Sequence, residues 1–103
     1  MQLGKMYLVK EYFWFLFPTK ELAAEGAPGG GGGGEWRTTR RWAYHDAKVL
    51  SERYNCNVAV VEENTYVVLL EQDNDYIKIL DSNGNIGWIV CWDFSASFEI
   101  VKE

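Results

Sequence analysis

The stretch DYIKILDSNGNIGWIV, Asp75 to Val90, constrains the fold more than any other part of the chain. Tyr76, Lys78 and Leu80 alternate with Ile77 and Ile79, the period of two that sends successive side chains to opposite faces of a strand. Ser82-Asn83-Gly84-Asn85 interrupts the run, and Gly84 can take the positive φ of a tight hairpin turn at no steric cost. IGWIV then returns as the partner strand. An antiparallel hairpin is predicted, within a mainly β fold.

Runs of the same kind stand on both sides. KMYLVKEYFWFLFP opens with alternation at Met6, Leu8 and Tyr12 and halts at Pro18, which predicts a strand over about 5–10 and a second extended piece over 12–17. In PTKELAAEGAP, Thr19 can cap a single helical turn. NVAVVEEN reads as a short strand, Asn64 turns the chain into the β-branched TYVVLLEQ, and DND makes a polar turn. CWDFSAS suits a 3₁₀ turn, and FEIVK closes as a last strand. Five or six short strands with short turns predict a small barrel rather than a helical bundle.

One segment breaks the period. In TTRRWAYHDAKVLSERYN, Ala43, Ala47, Leu50 and Tyr54 recur at i, i+4, i+7 and i+11, an apolar stripe that predicts a helix over about 39–54. Asn55 offers a left-handed stop. Ahead of it, GAPGGGGGGE carries six consecutive glycines at 29–34. Such a run has no side chains to bury and maximal backbone entropy, so residues 26–35 are expected to be a flexible loop. A phosphate-cradling loop would need glycines at chosen places beside a lysine and a helix start.

The order of elements over about 57–103, YVVLLEQDNDYIKILDSNGNIGWIV…FEIV, resembles the SH3-like small β-barrel, especially its bacterial form. Gly84, Gly87 and Trp88 stand where that pattern places a distal hairpin followed by a Gly-Trp-aliphatic strand. The resemblance implies an SH3-like barrel of five or six strands, with residues 5–10 as its first strand and one α-helix inserted in an enlarged first loop. The 103 residues would then form a single domain. MYLVKEY, Tyr76 and WIVCW occupy the positions of the ALYDY-like opening, the paired Trp and the Pro of peptide-binding SH3 domains, so an aromatic trough for polyproline II is not implied.

Charge narrows the function. The net charge is −5, made up of 0 over residues 1–34, +2 over 35–54 and −7 over 55–103. A generic binder of the phosphate backbone is disfavoured by that balance. YFWFLF is too short to span a bilayer and lacks a small-residue cleavage site, so a cytoplasmic compartment is expected, or a virion if the source is viral. Cys56 and Cys91 lack metal-type spacing and read as free thiols, with a disulfide as the alternative. His45 is the only histidine, so neither a metal set nor a catalytic Cys–His pair is recognisable; no enzyme, no cofactor and no metal are expected.

The favoured expectation is a non-catalytic protein-interaction module, a small stand-alone accessory or adaptor protein of the kind that bears such barrels in bacteria and their phages. WRTTRRW offers Arg and Trp, residue types enriched at binding hot spots. The candidate partner-binding residues are Trp36, Arg37, Arg40, Arg41, Trp92 and Phe94. Another protein is the expected partner, and a homo-oligomer is compatible with this reading. Single-stranded nucleic acid bound through residues 36–42 is the first alternative, and a cell-wall-binding SH3 domain is the second.

Overall fold

A computed structural model describes residues 3–10, 13–26, 40–91 and 94–101. Among them the chain runs β1 (Met6–Val9), β2 (Trp14–Leu16), α1 (Lys20–Gly26), α2 (Arg40–Tyr54), β3 (Ala59–Val61), β4 (Tyr66–Asp73), β5 (Tyr76–Leu80), β6 (Ile86–Val90), α3 (Phe94–Ser97) and β7 (Phe98–Ile100). The expected glycine-rich loop lies outside the described residues from 27 onward. The fold is mainly β, with three helices where the sequence predicted one helix and two helical turns.

The strands make two antiparallel sheets, one of five in the order β6-β5-β4-β1-β7 and one of two, β2-β3. Neither closes into a barrel, which departs from the closed sheet expected from the strand pattern. Among the described residues, the sheets meet at a single bridge. There the amide of Phe17 donates to the carbonyl of Trp88 at 2.9 Å, and the amide of Trp88 donates back to Phe17 at 2.7 Å. β2 is only three residues long and Pro18 follows it, so the ladder beside β6 stops after this one pair.

Gly87 is what permits the approach. A Cβ there would lie 2.5 Å from the carbonyl oxygen of Phe17 and 2.9 Å from Cγ of Leu16. The neighbour that leaves no room for a side chain is thus β2. The hairpin turn between β5 and β6 is closed by Asp81, a buried carboxylate that accepts from the amides of Asn83 (2.9 Å) and Asn85 (2.8 Å) and from the Asn85 side-chain amide (3.0 Å). Gly84 sits at φ 85° within that turn.

Two cores lie on the two faces of β2 and β3. Between the sheets, Trp14 and Leu16 of β2 meet Tyr7, Val9, Val67, Leu69, Ile77, Ile79 and Ile89, with Phe94 and Phe98 stacked at 4.6 Å. On the other face, Phe13, Phe15 and Phe17 meet Val58 and Val60, and the helices cover them with Ala23, Ala43, Ala47 and Leu50. The stripe predicted on α2 is the side that is buried, and alanines at two of its positions let the helix lie close to the rings. Asn55, at φ 50°, ends α2 as expected. Ser51 then ties helix to strand, its hydroxyl donating to the Ala47 carbonyl (2.7 Å) and accepting from the Val58 amide (3.0 Å). Thr19 caps α1 by accepting from the Leu22 amide at 3.2 Å.

Candidate functional site

The side of α2 turned away from this second core carries the candidate site. A helix that buries Ala43, Ala47 and Leu50 directs Arg41, Trp42, His45, Lys48 and Val49 outward, and all five are exposed. Trp42 is 56% exposed and Val49 39%. Trp42, His45 and Val49 follow one another at i, i+3 and i+7, so they share a line along the helix. The His45 ring meets the Trp42 indole edge-on, with centroids 5.7 Å apart. Tyr44 donates from its hydroxyl to the Glu62 carboxylate at 2.8 Å and pins the helix to the end of β3.

The expected site residues fare differently. Trp36, Arg37 and Trp92 lie outside the described residues. Arg40 opens α2, and Arg41 stands exposed one residue on. Phe94 is 7% exposed; it packs edge-on against Tyr7 at 4.9 Å and stacks on Phe98, so its ring belongs to the internal core and presents no surface. Trp42 lies in the WRTTRRW segment but not among the candidate residues, although its offset of one residue from the Ala43 stripe is the signal that it points outward. Tyr44 and Val49, also off the stripe, are not among the candidate residues either.

A second polar region lies between α1 and the β4–β5 hairpin. Lys20 contacts Asp73 at 2.6 Å and stands 5.4 Å from the centre of the half-buried Trp88 ring. Lys78, 5.9 Å from the same ring, pairs with Glu71 at 3.1 Å. The Asp73 carboxylate and its hydrogen bond hold the Lys20 ammonium above its ordinary pKa. These cations are engaged by neighbouring carboxylates, which leaves the groove lined by Lys20, Glu21, Ala24, Asp73 and Tyr76 electrically balanced along its Lys20–Asp73 wall.

Other chemistry is dispersed. Cys91 is buried in the internal core, Cys56 is half-buried, and the two are not joined in a disulfide. His45 stands on the helix exterior, so it is not brought to Cys91. Among the described residues, no group of three or more His, Cys, Asp or Glu side chains could hold a metal ion, and no helix is long and apolar enough to cross a membrane. No protein-family model, no curated protein and no solved structure matches the chain.

Proposed function

We propose that this chain is a non-catalytic protein-binding module of SH3-like type, an adaptor or accessory protein that engages its partner through the outward side of α2. The observation that carries the reading is the exposure of Trp42 beside Arg41 on a helix whose opposite side is packed and whose base is pinned by Tyr44. Trp and Arg are the residue types that most often dominate binding energy. A rigid helix presents them at little entropic cost.

The sheet order β6-β5-β4-β1-β7, with the short α3 leading into β7, supports the SH3-like reading. The first strand lies between β4 and the last strand, as an SH3-like connection would place it. β2, both larger helices and β3 would then be the enlarged first loop. Charge supports the partner's chemistry. The segment 35–54 is net +2 on a chain of net −5. A protein surface with a pocket for an indole and carboxylates around it fits this combination, and its rim charges would set the rate and salt dependence of association.

The test is affinity capture from nuclease-treated lysate of the source cell on immobilised wild type, Arg41→Glu and Trp42→Ala. Both positions are exposed, so both variants should melt within about 0.5 kcal/mol of wild type. A protein held by the wild type and lost from both variants supports the reading. Equal capture by all three overturns it, as does capture that nuclease abolishes, which would favour single-stranded nucleic acid.

A further inference from the structure

The face of the five-stranded sheet that looks away from the internal core carries a continuous apolar row. The register pairs Met6 with Val68, Val68 with Leu80, and Leu80 with Ile86. Continuing the β1–β7 register by one step places Val101 beside Met6, and the Val101 amide donates to the Met6 carbonyl at 3.0 Å. The row Val101–Met6–Val68–Leu80–Ile86 therefore crosses the whole sheet. All five side chains point outward, because Tyr7, Val67, Leu69, Ile79 and Gly87 alternate with them toward the inside.

Ile86 is 56% exposed, Met6 46% and Val101 37%; Val68 and Leu80, flanked by neighbours within the row, are half-buried. Leu8 pairs with Tyr66 in the next row and widens the patch. The helices cover the same outer side of β6 only from Trp88 to Val90 and stop short of Ile86.

We infer that this face is a self-association surface, and that a second copy of the chain covers it, sheet against sheet. Charge points to that occupant. A chain of net −5 repels its own copy, so two copies can meet only where the local field is near zero. The row contains no ionisable group; of the charged groups beside it, Glu71 and Lys78 neutralise each other at 3.1 Å, and Glu99, opposite Leu8 in the next row, stands at the β7 edge of the patch. A nucleic acid or an anionic membrane surface would need unpaired cations here, and Lys78 is already engaged.

Shape points the same way. A two-fold axis lying in the interface, either along the row or across it through Val68, superimposes a straight apolar row on its own copy, as an isologous contact requires. In the second case Met6 faces the Leu80 position of the partner copy, and Val101 faces the Ile86 position. Area sets the strength. Five strands at about 4.8 Å spacing and five residues at about 3.3 Å rise give roughly 24 by 17 Å, about 400 Å² in projection. Pleating and side chains raise the accessible area of the pair toward the roughly 1,200 Å² at which specific interfaces begin, so a weak, concentration-dependent association is expected.

This surface is separate from the outward side of α2, and the experiment distinguishes the two. Sedimentation velocity from ~5 to ~500 µM brackets the weak end of specific association. The wild type should pass from monomer to dimer, Trp42→Ala should match it, and Ile86→Lys and Met6→Glu, each placing an unpaired charge in the row, should weaken dimerisation by about tenfold or more. Both row positions are exposed, so near-native melting of the two variants is expected and checks that they are folded. A wild type monomeric at ~500 µM overturns the inference at the weakest affinity a specific contact would show. Row variants that dimerise as the wild type does, or loss of the dimer on Trp42→Ala, overturn it equally.

Discussion

The two cores on either face of β2 and β3 are built by opposite means. Between the sheets, the central strands alternate, and their inward residues are wholly buried: Val9, Leu69, Ile77, Ile79 and Ile89 are each at 0% exposure. Their backbone groups are paired in ladders on the sheet, broken by a register shift in β4 between Leu69 and Glu71. On the helical side the burial rests on three Phe side chains from one short extended segment, roofed by small residues of α1 and α2. Strand packing there joins β2 and β3 to the outer side of β6 at Trp88 and Val90 and to Tyr76 of β5, and the helices attach through side chains, Ser51 among them. The lesson is one of hierarchy. The internal core uses no side chain of α1 or α2, whereas the helical core rests on β2, β3 and β6, strands that the internal core itself holds in place.

Three substitutions would break or sharpen that contrast. The largest effect is expected for Leu69→Ala, which opens a cavity at the centre of β4 and should cost about 2–5 kcal/mol. Urea unfolding measures the loss, and hydrogen exchange should show reduced protection in α2 as well as in β4 and β5. Unchanged protection of α2 would show that the helical core is independent of the sheet.

A smaller loss is expected at the seam between the cores. Gly87→Ala drives a methyl group against the Phe17 carbonyl, backbone that cannot swing away, and overpacking of this kind costs about 1–3 kcal/mol. Because Phe17 belongs to the helical core, exchange near β2 and α1 should rise more than exchange in β4. Uniform loss across the protein would mean that the seam is not a boundary.

The smallest effect belongs to the Lys20–Asp73 contact, which ties α1 to the β4–β5 hairpin at the surface. The folded pKa of Lys20 is raised, chiefly by its hydrogen bond and then by the charge of Asp73. The stabilisation is therefore fully present below the ordinary lysine value and disappears as pH climbs through the raised one. The stability difference between wild type and Lys20→Met should be small, salt-sensitive and narrow in strongly alkaline solution. A difference that grows with alkalinity would contradict the pairing.

Much of the fold could be read from residue order. Alternation placed the strands, Asn55 ended the helix, Gly84 marked the hairpin, and the Ala43–Ala47–Leu50 stripe named the buried side of α2. The candidate site was less legible. Of the candidates, Arg41 is exposed on the outward side of the helix, but Phe94 is a core ring, and Trp42 is an exposed aromatic. Aromatic side chains serve both burial and recognition, and their identity alone does not say which.

Sequence by itself determined what is local: periods of two and of about 3.6, caps and turns, because these depend on neighbours within a few residues. It could not assign YFWFLF, where apolar residues fill both phases of the alternation. Only tertiary structure decided that Trp14 and Leu16 enter one core while Phe13, Phe15 and Phe17 build another. The same holds for the row from Val101 to Ile86, whose members lie far apart in the chain and become one surface only through strand register. Register is fixed by which faces are buried against what, and that is a property of the packed whole.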